Sequence, residues 1–195
     1  MSLEICNLRK SFGDLKVLKG ISLILEEGKI YCLMSPSGSG KTTLFRILLG
    51  LEQADEGEIK GIQGKRFGAV FQEDRLCEAY SPLDNVMMTA DRCVTRKEAQ
   101  RELCRLLPKE SVTRPVYTLS GGMKRRTAIC RALLASWDIL IMDEPFTGLD
   151  DGTRQEVIHY IHEKTAGKLV LLSTHQMEDV EALGAKLITL QESSQ

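Results

Sequence analysis

Nine residues, Ser35-Pro36-Ser37-Gly38-Ser39-Gly40-Lys41-Thr42-Thr43, constrain this chain more than any other stretch. They follow an apolar run, Ile30 to Met34, that reads as a buried strand, and they precede Leu44, Ile47 and Leu48 at helical spacing. A glycine-rich loop between strand and helix presents successive backbone N–H groups to an anion. The helix adds unpaired N–H groups and the positive end of its dipole. Phosphate is the natural guest of such a loop. Gly38 and Gly40 let the backbone approach closely, Lys41 can reach terminal phosphates as a point charge, and the Thr42 hydroxyl is placed to bind Mg2+.

The stretch fits the Walker A pattern G-x-x-x-x-G-K-[ST] at every fixed position except the first, where Ser35 replaces glycine. Either the turn tolerates serine there or the loop is strained.

At 195 residues the chain is long enough for one sizeable core and short for two independent domains. Its hydrophobic (43%) and charged (27%) fractions suit a soluble globular protein, and a net charge of −1 gives no ground for expecting a nucleic-acid partner. No apolar run approaches the length of a membrane span, and the N-terminus lacks the basic-then-apolar pattern of a signal peptide. Cys6, Cys32, Cys77, Cys93, Cys104 and Cys130 form no C-x-x-C pair. They are expected to be reduced, buried thiols and not a disulfide framework or zinc site.

Along the chain, residues 3–26 predict a small antiparallel sheet, with Phe12-Gly13 inside it. Phe12 suits either stacking on a nucleotide base or a hairpin core. Phe67 to Phe71 predicts another strand, with Gln72 at its carboxyl end, the edge where ligands bind in open α/β sheets. From Glu73 to Tyr117 the pattern becomes helical, with helices expected over Asp84 to Ala90 and Thr95 to Leu107. This reads as a subdomain inserted into the core. Ser120 is placed to cap a helix running to about Ser136, on which Lys124-Arg125-Arg126, taken alone, suits a solvated face. The apolar Ile139 to Met142 predicts a strand covered on both faces, ending at Asp143-Glu144. A helix follows from about Thr153 to Thr165, then a strand from Leu169 to Ser173 that ends at Thr174-His175. A short helix, Gln176 to Leu183, and a last strand, Leu187 to Leu190, precede a frayed tail at Glu192 to Gln195.

Strand ends at Ser35, Gln72, Asp143 and His175 are thus expected at one sheet edge. In this order, with Leu119-Ser120-Gly121-Gly122-Met123 among them, the motifs resemble the ATP-binding subunit of ABC transporters over essentially the whole chain. The resemblance implies an α/β P-loop ATPase fold: a mostly parallel sheet, an N-terminal antiparallel β subdomain and an inserted helical subdomain. It implies one domain over 1–195, with antiparallel β and Walker A parts in 1–72, the helical subdomain in 73–118, and the signature helix, Walker B and switch histidine in 119–195.

It also implies ATP and Mg2+. Ser35, Pro36, Ser37, Gly38, Ser39, Gly40, Lys41, Thr42 and Thr43 would hold the phosphates and Phe12 the base. Thr42, Gln72 and Asp143 would hold the metal. Glu144 would polarise the attacking water as general base, with His175 steadying it, and Gln72 and Lys41 completing the catalytic set. Gly148-Leu149-Asp150 matches the D-loop. Two copies would pair head to tail, ATP on one copy's Walker A being closed over by Ser120, Gly121 and Gly122 of the other. Met123, where the signature has Gln, implies weaker ATP-driven pairing.

The stretch Val70 to Leu76, the segment Leu83-Asp84-Asn85-Val86 and the LSGGM form resemble importers of the nitrate, sulfonate and taurine type. That implies a separate membrane-embedded permease docked beside Gln72 and the helical insert, and a cytoplasmic place on the inner face of the cell membrane. It also implies a second, identical ATP-binding subunit. The shortness of the chain beyond His175 implies no appended regulatory domain. The alternative is a soluble ABC-type ATPase acting as a clamp on nucleic acid or ribosomes, but 73–119 leaves no room for the coiled coil or zinc insert that such proteins carry. Ser35 and Met123 would suit a degenerate regulatory subunit; Lys41, Asp143, Glu144 and His175 argue against one.

Overall fold

The computed structural model describes residues 2–36 and 38–190. Ser37 and the expected tail at Glu192 to Gln195 therefore lie outside the described residues. Two sheets organise the chain. β1 (Ser2–Phe12), β2 (Leu15–Glu26) and β4 (Glu56–Lys60) form an antiparallel sheet in the order β2-β1-β4. β3 (Ile30–Leu33), β5 (Phe67–Val70), β6 (Ile139–Met142), β7 (Leu169–Ser173) and β8 (Lys186–Ile188) form a parallel sheet in the order β5-β6-β7-β3-β8.

Strand periodicity divides the core. Leu140, Met142, Val170, Leu172 and Cys32 point to one face of the parallel sheet. Ile139, Ile141, Leu169, Leu171 and Leu33 point to the other, where they meet the antiparallel sheet and α1 (Lys41–Leu48) through Leu44, Phe45 and Leu48. Both faces are covered, which is why β6 and β7 are continuous apolar runs and not alternating ones.

The helical stretch contains α2 (Pro82–Met87) and α3 (Arg96–Leu106), whose Leu83, Val86, Leu103 and Leu106 join Ile129 and Leu133 of α4 (Gly121–Leu134) in one cluster. Each of the two has a capping box, Ser81 with Asp84 and Thr95 with Glu98. α2 begins at Pro82, earlier than the periodicity suggests, because Ser81 caps it and proline suits the first helical position. α5 (Asp151–Lys164) starts after the cap Asp150, and α6 (Met177–Ala182) follows β7.

The cysteines correct one expectation. All six are free thiols, but only Cys32 and Cys130 are buried, and burial pushes both up to about 12. Cys6 is half-buried, and Cys77, Cys93 and Cys104 are exposed, on loops and on the outer face of α3. Apolar neighbours in sequence do not set which way a loop or helix residue points.

Candidate active site

The carboxyl ends of β3, β5, β6 and β7 bring Ser35, Gln72, Asp143 and His175 to one edge of the parallel sheet, as expected of such a sheet. Beside them lies a cleft of about 300 Å³ lined by Gly38, Gly40, Lys41, Thr42, Gln72 and Glu144, while His175 lines a neighbouring cleft that shares Glu144. Phe12 also lines the first of these and is 48% exposed, so it is not a hairpin core residue.

Gly40 precedes α1 at φ +92, and a Cβ there would stand 2.8 Å from a Leu18 methyl and 2.9 Å from Val17. Conformation and packing both demand glycine. Having no side chain, Gly40 leaves the first N–H groups of α1 uncapped toward the cleft. Ser35 is absent from the non-glycine residues with left-handed φ among the described residues, which are Asn7, Arg75 and Glu144. Its hydroxyl donates to Met34 O (2.7 Å) and accepts from the Leu190 N–H (3.0 Å). The turn thus tolerates serine without strain and uses it to hold the segment that follows β8 (Lys186–Ile188).

The buried Lys41 ammonium donates to the carbonyls of Ser35 (2.5 Å) and Pro36 (3.1 Å). Thr42 Oγ1 donates to Asp143 Oδ2 at 2.7 Å, joining the loop to the end of β6 across 101 positions of sequence. The other carboxylate oxygen, Oδ1, accepts from the Ser173 hydroxyl at 2.7 Å, and that same hydroxyl accepts from the Glu144 N–H at 2.9 Å. Glu144 adopts φ +48, rare for a residue with a side chain and typical of strained functional positions. Its Oε1 lies 2.8 Å from Nε2 of His175. Ser173 is one of the residues that sequence reading missed. The signal was a lone hydroxyl closing an otherwise apolar strand.

Gln72 is placed from behind. Arg125 of α4 donates to Phe71 O (2.6 Å) and to Gln72 O, with its Nε 3.2 Å from Asp74. Arg131 donates to the carbonyls of Asp74 and Arg75. Lys124-Arg125-Arg126 is therefore not a solvated face: Arg125 is buried and Arg126 donates to Gly122 O and Leu106 O. Half-burial raises the Asp74 carboxyl above its usual range, against the opposing pull of Arg125, Lys124 and Arg131.

Ser120, Gly121 and Gly122 lie outside this cleft. Ser120 caps α4, its hydroxyl accepting from Met123 N–H at 3.3 Å. A Cβ on Gly121 would meet nothing within 4 Å, and one on Gly122 would make only ordinary contacts with Gly148 and Leu149. The fold itself asks for neither glycine. Met123 packs against the core, half-buried. The Asp150 carboxyl is held below its usual range by the Thr153 N–H and then by its hydroxyl, keeping an ionised cap on α5.

Hydroxyl and carboxylate oxygens at Thr42 and Asp143 suit Mg2+, which binds through one or two carboxylates plus substrate phosphates. No group of three or more His, Cys, Asp or Glu side chains able to hold a metal by themselves occurs among the described residues. Nor is any described helix long and apolar enough to cross a membrane.

Residues 18–147 match the family model for ABC transporters. The chain is 36% identical to the aliphatic sulfonates import ATP-binding protein SsuB 3 of Rhodococcus jostii, over 97% of this chain and 71% of that protein. It is 35% identical to the Nod factor export ATP-binding protein I of Paraburkholderia xenovorans, over 98% and 68%. Among solved structures, the dimeric ABC transporter cassette MJ0796 superposes with a TM-score of 0.85 at 27% identity, covering 97% of this chain and 94% of that one. The same cassette in a post-hydrolysis state with ADP and Pi gives 0.84 at 26% identity. With a phosphate loop, paired strand-end carboxylates and a histidine on one sheet edge, the chain belongs to the ABC transporter family, as one of its ATP-binding cassettes, which are ATPases.

Proposed function

We propose that this chain hydrolyses ATP at a site completed by a second, identical copy, and so powers a membrane transporter. The observation that carries this reading is the Thr42 to Asp143 hydrogen bond, which sets a phosphate loop against a carboxylate pair with a histidine on the second carboxylate. Positioning and electrostatics supply most of phosphoryl-transfer catalysis, and each residue has a part in them. The loop Ser35 to Thr43 and the start of α1 receive the phosphates, and Lys41 turns from its loop carbonyls to neutralise them. Phe12, lining the cleft, stacks on the base. Thr42 and Asp143, with Gln72, would hold Mg2+, which when bound offsets phosphate charge. Glu144 takes the proton of the attacking water, and His175 fixes the orientation of that carboxylate. On this reading 1–195 is one ATPase domain and 73–118 its helical insert.

The signature residues support the pairing. Gly121 and Gly122 have room for side chains within their own chain, so the surface there is open to a partner. A partner's phosphate against the N-terminus of α4 fits that space. The transport role rests on relatives named as import and export ATP-binding proteins, so a separate permease is the expected second partner. The proposed place is the inner face of the cell membrane.

The test is Glu144→Gln with ATP and Mg2+, followed by light scattering and a turnover assay. Retained ATP binding, lost turnover and an accumulated dimer are expected. Near-normal turnover, or a monomer at saturating ATP, would overturn the reading. Recovery of a multi-span membrane protein in stoichiometric amount with the tagged chain supports the transport role; recovery of ribosomal partners alone contradicts it.

A further inference from the structure

Arg154 of α5 and Asp179 of α6 form an ion pair in the interior. Nε donates to Oδ1 at 2.7 Å, and the two residues are 7% and 1% exposed. Neither lines the phosphate cleft. Burying two charges carries a desolvation cost that rivals their attraction, so such a pair is a poor source of stability. Here the balance is worse still, because Nη2 of Arg154 is buried with no hydrogen-bond partner among the described residues.

What the pair does fix is the stretch around His175. Asp179 Oδ2 accepts from the Thr174 hydroxyl, and the same hydroxyl oxygen accepts from the Gln176 N–H at 3.2 Å. The residues on both sides of His175 are thereby anchored to one carboxylate. At the other end, Arg154 lies in the first turn of α5, its N–H donating to the carbonyl of the cap Asp150 at 2.8 Å. Arg154, Asp179 and His175 share with Gly148 and Leu149 a second cleft of about 290 Å³, and Glu144 borders both clefts.

We infer that Arg154 and Asp179 are positioning residues of the ATPase reaction: through Thr174 they hold His175 on Glu144, and through Arg154 they tie that contact to the Gly148-Leu149-Asp150 turn. This rests on the reading of Glu144 as base and His175 as its partner. A shift of that turn, which lies beside Gly122, moves the start of α5 and so reaches His175 through a buried ion pair.

The test uses three variants of the full chain, with kcat, KM for ATP and melting temperature measured on each. Thr174→Val removes only the hydroxyl and leaves the ion pair in place. Its kcat should fall by about 10- to 100-fold with KM for ATP unchanged, as for a misplaced catalytic group. Arg154→Met combined with Asp179→Leu replaces the pair by apolar side chains, which should leave the melting temperature near wild type or raise it. Its kcat should nonetheless stay low, because Thr174 has lost its anchor. A double variant or Thr174→Val with wild-type kcat would overturn the proposal. His175→Ala separates the two levels. Wild-type turnover there removes the reading of His175 itself; loss of turnover there, beside wild-type kcat in the double variant, removes only the positioning role.

Discussion

Nε2 of His175 lies 2.8 Å from Oε1 of Glu144, 31 positions earlier in the chain. The contact is the last of three made by consecutive residues. Ser173 donates to Asp143, Thr174 donates to Asp179, and His175 meets Glu144. The end of one strand thus orients three carboxylates, one of them lining the phosphate cleft and another bonded to its Thr42. A strand end can do this because β7 lies next to β6 in parallel register, Leu172 beside Met142, so the residues that follow each strand emerge side by side.

Ser173→Ala removes the donor to Asp143 and the acceptor for the Glu144 N–H together. Leaving buried polar groups unpaired costs about 1–3 kcal/mol. Denaturant unfolding should show a loss of that size. Turnover should fall by more than nucleotide affinity, since Ser173 reaches the phosphate loop only through Asp143 and Thr42. An Ser173→Ala variant with wild-type kcat would show that Glu144 keeps its place without this support.

Gly121→Ala should leave stability unchanged, because a Cβ there meets nothing within 4 Å in its own chain. The same methyl should obstruct the partner's phosphates and abolish ATP-dependent dimerisation in the Glu144→Gln background. Thermal melting and light scattering check the two halves. A dimer of unchanged affinity would place the signature residues away from the nucleotide.

Ser35→Gly should not tighten ATP binding, because Ser35 pays no backbone penalty that glycine would relieve. It should lower stability by about 1 kcal/mol through loss of the hydrogen bond from Leu190. Nucleotide titration with denaturant unfolding distinguishes this from a strained loop, for which affinity would rise.

The phosphate loop, the strand-end carboxylates and the histidine were legible in the sequence because each follows an apolar run that can only be a covered strand. Parallel strands put their carboxyl ends together, so order along the chain was enough to gather Gln72, Asp143 and His175. The supports were not legible. Ser173, Arg125 and the Arg154–Asp179 pair act on partners 25 to 54 positions away, and neither residue type nor spacing names such partners. Lys124-Arg125-Arg126, taken alone, suited a solvated face for the same reason: helical phase alone did not show that the loop after β5 lies over Arg125. Cys77 and Cys93 misled because they sit on loops, where no periodicity fixes burial.

Acid below about pH 4 should destabilise the chain in part through the caps of α2 and α3. The Ser81 hydroxyl, and then Arg96, holds Asp84 below its usual range; the Thr95 N–H, and then its hydroxyl, does the same for Glu98. Both carboxyls bind protons more weakly in the folded than in the unfolded chain. Their stabilisation is therefore complete above the unfolded values, about 4, and is lost as pH falls through the lower folded ones. Asp84→Asn with Glu98→Gln should flatten the acid limb of melting temperature against pH. A limb of unchanged slope would assign acid unfolding to other groups.

The most direct test of a site shared between two copies is complementation between Lys41→Ala and Gly121→Asp. Each variant alone spoils every composite site and should be inactive. In a mixed dimer, the intact loop of the Gly121→Asp copy faces the intact signature of the Lys41→Ala copy, while the other site carries both lesions. Turnover measured on mixing the two purified variants, tagged differently to confirm mixed dimers, should therefore reappear. Mixed dimers that form with ATP and stay inactive would contradict a head-to-tail composite site.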